Sequence, residues 1–125
     1  MMDTVMIRSG KVVALVGGLN VTPTGGLINY IGVTANTTGV GKYKDSPFST
    51  FQASVNGTGA VTATVVIQGS NDNVNWAATV LGTITLSATT TASDGFTTTA
   101  PWKWIRAVVS NVTGTGAVVT VLMGV

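Results

Sequence analysis

Short runs of alternating apolar and polar residues, separated by Gly, Asn, Pro or Asp, dominate this sequence. In Phe51-Gln52-Ala53-Ser54-Val55 the apolar side chains share one face, and the alternation resumes from Val61 to Gln68. A period of two is typical of a half-buried β-strand, whereas no window shows the 3.6-residue period and caps of an amphipathic helix. The pattern therefore predicts an all-β protein.

The same pattern places roughly ten strands along the chain, with turns about every 8–12 residues, which is typical of a sandwich or barrel. The predicted strands are Val5 to Arg8, Lys11 to Val16, Leu27 to Thr34, Phe48 to Val55, Val61 to Gln68, Trp76 to Leu81, Thr83 to Ser87, Phe96 to Thr99, Trp102 to Val112 and Val118 to Met123.

Two turns resemble each other closely. Val55-Asn56-Gly57-Thr58-Gly59-Ala60-Val61 is similar to Val112-Thr113-Gly114-Thr115-Gly116-Ala117-Val118. Asn and Gly tolerate positive φ, so both segments are interpreted as hairpin turns. Either the likeness is convergent turn chemistry, or the two turns occupy equivalent positions in a jelly-roll-like antiparallel β-sandwich.

Residues 1–45 differ from the rest because glycine pairs and Pro23 space out short apolar pieces. This segment is interpreted as an N-terminal arm that reaches a neighbouring subunit by strand addition, or as additional edge strands of the sandwich. Residues 46–125 are predicted to form the sandwich domain itself.

The inventory of reactive side chains argues against catalysis. The chain has no His, Cys or Glu, and its carboxylates are Asp3, Asp45, Asp72 and Asp94. Triads of the Ser-His-Asp and Cys-His kind need residues that are missing, and the last three aspartates stand in turn-like contexts. We therefore expect no enzyme activity, no metal site and no cofactor.

Charge and hydropathy narrow the class of partner. The net charge is +2 with only ten charged side chains, and the basic residues form no stripe, so nucleic-acid binding is not expected. No run reaches the roughly 18 apolar residues of a membrane-spanning helix. The 22 threonines and 20 valines instead give a weakly charged exterior, which is suited to burial in an assembly.

The tryptophans are the leading candidates for a site. Trp102 and Trp104 alternate with Lys103 before Arg106, so a strand through this segment would place both indoles and the guanidinium in one row. Together with Trp76, this row is interpreted either as a recognition surface or as a cap on the core with Arg106 stacked over an indole.

The string Ile67-Gln68-Gly69-Ser70-Asn71-Asp72-Asn73-Val74-Asn75-Trp76 resembles the Gly-Ser-Asn-Asp-x-x-x-Trp turn of discoidin-like jelly rolls and of small β-sandwich proteins of tailed-phage particles. The segments Ser93-Asp94-Gly95-Phe96 and Ala100 to Ala107 resemble the phage proteins further. The resemblance spans roughly Phe48 to Met123. Discoidin domains are longer and often carry a cysteine pair, which this chain lacks.

This resemblance implies a virion structural protein, of the kind that decorates the capsid surface as a cement protein. It would bind the major capsid protein as a homotrimer, with Trp76, Trp102, Trp104 and Arg106 as interaction residues. A carbohydrate-binding or receptor-binding module of a tail or fibre component, using the three tryptophans, is the alternative. A tail component without sugar binding is a further possibility.

Overall fold

The computed structural model describes residues 12–21 and 27–125. Over these ranges it contains the strands β1 Val12–Val16, β2 Gly18–Val21, β3 Leu27–Ile31, β4 Thr37–Thr38, β5 Lys42–Tyr43, β6 Ser49–Asn56, β7 Val61–Ser70, β8 Gly82–Ala88, β9 Thr91–Thr98, β10 Trp104–Thr113 and β11 Val118–Gly124. Within the part of the chain so described, no helix is long and apolar enough to cross a membrane.

Two antiparallel sheets face each other, which confirms the predicted all-β sandwich. The back sheet has the order β1-β11-β6-β9, and the front sheet has the order β4-β10-β7-β8 with β5 also paired to β10. One long two-stranded ribbon runs through both sheets. Its successive pairs are β1 with β11, β4 and β5 with β10, β6 with β9, and β7 with β8. Rolled up so that successive pairs fall in alternate sheets, this ribbon is a jelly roll.

The alternation in sequence decides which side chains fill the space between the sheets. Phe51, Ala53 and Val55 of β6 are buried. On β7 the same is true of every second residue from Val61 to Ile67. Their polar neighbours point outward because successive strand residues lie on opposite faces. Each sheet therefore contributes one apolar face to a single core.

The two Gly-Thr-Gly turns are equivalent in position, but they are not hairpins. Each turn carries the chain from one sheet to the other: the first joins β6 to β7, and the second joins β10 to β11. The turns contact each other, since the Thr58 amide donates to the Thr115 carbonyl at 3.0 Å. Turn residues specify a reversal of direction, whereas the burial of both strands' apolar faces decides that the reversal crosses the core.

Two further local predictions are wrong. Residues 76–81, expected to be a strand, form a loop between β7 and β8. Ser93-Asp94-Gly95, expected to be a turn, lies in the middle of β9. A strand at a sheet edge tolerates Asp and Gly because one side of its backbone needs no partner strand. A Cβ at position 95 would overlap the carbonyl oxygen of Phe51, so Gly95 permits the close approach of β6.

The described part of residues 1–45 contributes to the edges of both sheets. Strand β1 borders the back sheet, and β4 and β5 border the front sheet. Strands β2 and β3 form a separate two-stranded sheet, after which Val33 pairs with Val119. The strand predicted at Val5 to Arg8 lies outside the described residues.

Candidate functional site

The turn from Ser70 to Trp76 is held by a compact set of hydrogen bonds. The buried Ser70 hydroxyl donates to Asp72 Oδ1 at 2.8 Å and accepts from the Asn73 amide at 3.0 Å. Asp72 Oδ1 also accepts from the amides of Val74 at 2.9 Å and Asn75 at 2.8 Å. Asn73 adopts a positive φ of 60°, which Asn tolerates better than most residues. The Ser and Asp of the recognised string therefore build the turn.

Hydrogen bonding lowers the pKa of the Asp72 carboxyl group well below its usual value. The amide of Val74 is the largest cause, followed by the side-chain amide and the backbone amide of Asn75 and by the Ser70 hydroxyl. All four groups donate to the ionised carboxylate and favour it over the neutral acid. Asp72 is thus a turn-forming anion whose oxygens are occupied by donors from its own loop.

The turn delivers Trp76 onto the outer face of the front sheet. There the Arg106 guanidinium carbon lies 4.4 Å from the centre of the Trp76 ring, a cation–π contact. Arg106 Nε donates to Gln68 Oε1 at 2.7 Å, across the paired strands β10 and β7. The Trp76 ring and the side-chain amide of Gln68 together hold the plane of the guanidinium in one orientation.

Two more aromatic residues extend this face. Tyr43 and Trp104 are paired across β5 and β10. Their ring centres are 5.3 Å apart with the planes at 71°, an edge-to-face contact. The amide of Lys44 donates to the Lys103 carbonyl at 2.8 Å and fastens β5 here. We name the set formed by Tyr43, Gln68, Trp76, Trp104 and Arg106 the aromatic–arginine cluster.

Gly41 joins the two halves of the cluster. A Cβ at this position would lie 3.0 Å from Cη2 of Trp76 and would overlap the side-chain oxygen of Asn73. The missing side chain therefore lets the turn lie against the strand that carries Tyr43.

Trp102 lies elsewhere, contrary to the predicted row. Strand β10 begins at Trp104, so the alternation does not extend back to Trp102. Trp102 packs against the core, and a Cβ on the buried Gly69 would overlap its indole. Gly69 stands on the core side of β7, so Trp102 closes the end of the sandwich while Trp104 and Arg106 face outward.

A buried lysine fastens the same end of the molecule. Lys44 is 3% exposed, and its Nζ donates to the carbonyls of Ser46 at 3.0 Å, Ala100 at 3.1 Å and Pro47 at 3.4 Å. Burial, with a smaller contribution from the charge of Lys103, lowers the pKa of Lys44. This lysine links the segment before β6 to the segment before Trp102, and its contacts indicate a structural role.

Exposed apolar side chains lie within and beside the cluster. Val40 is 72% exposed, Val74 is 75% exposed and Tyr43 is 54% exposed. Val40 and Val74 adjoin Gly41 and Asn73 in sequence, so they flank the junction of the turn with the strand. Within the described residues no group of three or more His, Cys, Asp or Glu side chains is placed to hold a metal ion. The arrangement suits contact with another molecule.

Of the predicted site residues, the structure brings together Trp76, Trp104 and Arg106, and it separates Trp102 from them. Tyr43 and Gln68 were missed. Gln68 could have been found as the outward neighbour of Ile67 on a recognised strand. Tyr43 could not, because β5 has two residues and no alternation to identify it.

No family model matches the chain, and no curated protein matches it significantly. Among solved structures, the chain is similar to the crystal structure of the PBSX exported protein XepA, a phage-related protein, with a TM-score of 0.48 and 16% sequence identity. The match covers 94% of this chain and 38% of that chain, so the present chain spans well under half of the length of XepA. Similarity at this level carries no argument about function.

Proposed function

We propose that this chain is a structural protein of a tailed-phage particle, and that it decorates the outer surface of the head by binding the major capsid protein. The jelly-roll sandwich and the Gly-Ser-Asn-Asp-x-x-x-Trp turn support this proposal, because both are features of the phage proteins that the sequence resembles. In this proposal the protein has no catalytic role, in keeping with its lack of His, Cys and Glu.

The aromatic–arginine cluster is the observation that carries the proposal. Trp, Tyr and Arg are the residue types that contribute most to binding energy at protein interfaces. Here Arg106 is already oriented by Trp76 and Gln68, so less conformational entropy is lost when a partner binds. The exposed ring of Tyr43 within the cluster and the exposed Val40 and Val74 beside it offer apolar area to the same partner.

Cementing would follow from binding linkage. A protein that binds the assembled shell, and not its dissociated subunits, stabilises the shell by an amount that grows with the ratio of its concentration to its dissociation constant. A surface rich in Thr and poor in charge suits close packing because few ions lose their hydration when it is covered.

The proposal is tested with particles of the encoding phage from which this gene has been deleted. Added back, the protein is expected to appear on the head in cryo-electron micrographs and to raise the temperature at which the particles release DNA. Tyr43→Ala should weaken this rebinding. Phe48→Ala is the matched control, because Phe48 is 64% exposed and lies beside Val12 and Gly124 at the end of the back sheet. Density confined to the tail, or unchanged DNA release, would overturn the capsid role.

A carbohydrate-binding or receptor-binding module is the second candidate, and the exposed ring of Tyr43 is the feature that favours it. The geometry supports it less well. Sugar rings stack on flat aromatic surfaces, whereas Tyr43 and Trp104 stand at 71° and Trp102 packs against the core. Binding on a glycan array that is lost in Trp104→Ala and kept in Phe48→Ala would favour the module over the capsid role.

A further inference from the structure

The outer edge of β8 differs from the other free edges of the sandwich. At the edge of the back sheet, β1 has a register shift between Ala14 and Val16, and the opposite edge strand β9 carries Asp94. At the edge of the front sheet, β4 and β5 have two residues each. Bulges, charges and short strands are the devices by which proteins prevent edges from pairing with other chains.

Strand β8 has none of these devices. Its seven residues, Gly-Thr-Ile-Thr-Leu-Ser-Ala, contain no charge and no proline. Its register with β7 is unbroken from Val61 opposite Ala88 to Ile67 opposite Gly82. Within the described ranges no strand pairs with its other side. A regular row of backbone donors and acceptors is therefore available for a further strand.

From this contrast we infer that β8 pairs antiparallel with β8 of a second copy of this chain, so that the two front sheets become one continuous sheet. The sequence of the strand suits pairing with itself. Around a two-fold axis at Thr85, Thr83 would lie opposite Ser87 of the second copy, and Ile84 opposite Leu86. Hydroxyl would meet hydroxyl on the exposed face and aliphatic would meet aliphatic on the core face, as in favourable cross-strand pairs.

The absence of charge favours a second copy as the occupant. In a two-fold pair, each residue near the axis lies close to its own counterpart, so any charge there would repel itself. Strand β8 avoids this repulsion. The pairing is independent of the capsid role, and it gives a dimer where the resemblance to phage proteins implies a trimer.

The first experiment measures mass by sedimentation and light scattering over micromolar to millimolar concentrations of the full chain. A species of twice the 12.6 kDa chain mass that increases with concentration is expected. Hydrogen exchange of residues 83–87 should slow as the dimer forms, while exchange in β9 stays unchanged. A monomer at every concentration, or a trimer, would overturn the inference.

Substitutions at Thr85 separate this edge from other surfaces. Thr85 is exposed, so Thr85→Lys and Thr85→Glu should fold normally by circular dichroism. Each variant should raise the dissociation constant of the dimer about fivefold, because like charges would lie directly opposite each other and repel. An equimolar mixture of the two variants should regain the dimer, and the uncharged control Thr85→Val should retain it. A dimer that neither charge weakens, or a mixture that fails to recover, would refute pairing through β8.

Discussion

The contact between Arg106 and Trp76 is accessible to a double-mutant cycle, which isolates the energy of one pair of residues. Arg106→Met keeps much of the aliphatic stem and removes the guanidinium. Trp76→Leu keeps an apolar side chain and removes the ring. The guanidinium carbon is 4.4 Å from the ring centre, and both residues are partly buried. A cation–π contact of this kind contributes from about 0.5–1 kcal/mol when exposed to about 2 kcal/mol when desolvated.

We expect a coupling energy of about 1 kcal/mol between the two substitutions, because the site lies between these limits. Arg106→Met alone should cost about 2 kcal/mol, since it also removes the charged hydrogen bond from Nε to Gln68. A loss of 1 kcal/mol lowers the melting temperature of a chain of this size by about 4 °C. The free energies of unfolding come from urea unfolding of the unmodified protein, the two single variants and the double variant, analysed with one common dependence on urea concentration.

The matched control is a cycle between Arg106→Met and Phe48→Leu. Phe48 is an exposed aromatic residue at the end of the back sheet, so its effect should add to that of Arg106 within about 0.3–0.5 kcal/mol. If the cycle with Trp76 is equally additive, the indole does not hold the guanidinium in solution. The preformed interface on which the capsid proposal depends would then be refuted.

Three further predictions test the packing around the site. Trp102→Ala should destabilise the protein by about 2–3 kcal/mol, which is less than the 3–5 kcal/mol for a fully buried tryptophan because Trp102 is only partly buried. An unchanged midpoint of urea unfolding would mean that Trp102 does not pack on the core. Gly95→Ala should lower the free energy of unfolding by about 2–3 kcal/mol, because the new Cβ overlaps the Phe51 carbonyl. The control Gly59→Ala should be tolerated, because a Cβ there would meet no atom within 4 Å, and equal melting temperatures of the two variants would contradict this. Because folding lowers the pKa of Asp72, its stabilising contribution is complete above the ordinary value of about 4 and is lost as the pH falls through the folded value. Below about pH 4 the free energy of unfolding of Asp72→Asn should therefore vary less with pH than that of the unmodified protein, as measured by acid titration. The same dependence on pH in both proteins would contradict the role of the carboxylate.

The candidate site was predictable where local chemistry determines it. Ser70 and Asp72 specify the turn through bonds to their own neighbours, so the recognised string already indicates the loop that carries Trp76. The place where the indole comes to rest was not predictable. It depends on Gly41, which is distant in sequence and is recognisable as a contact only when β5 lies beside β10.

The sequence by itself determined that β6, β7 and β8 are strands and which of their faces points inward. Alternation in β6, β7 and β8 was sufficient, because the period of a strand and the burial of apolar side chains are local properties. Only the tertiary structure decided which strands pair. The sequence of the two Gly-Thr-Gly turns predicts hairpins, yet each turn crosses between the sheets. The burial of two apolar faces against each other outweighs the local preference for pairing adjacent strands. The separation of Trp102 from Trp104 likewise depends on where β10 begins, and its pairing with β7 and β5 fixes that point.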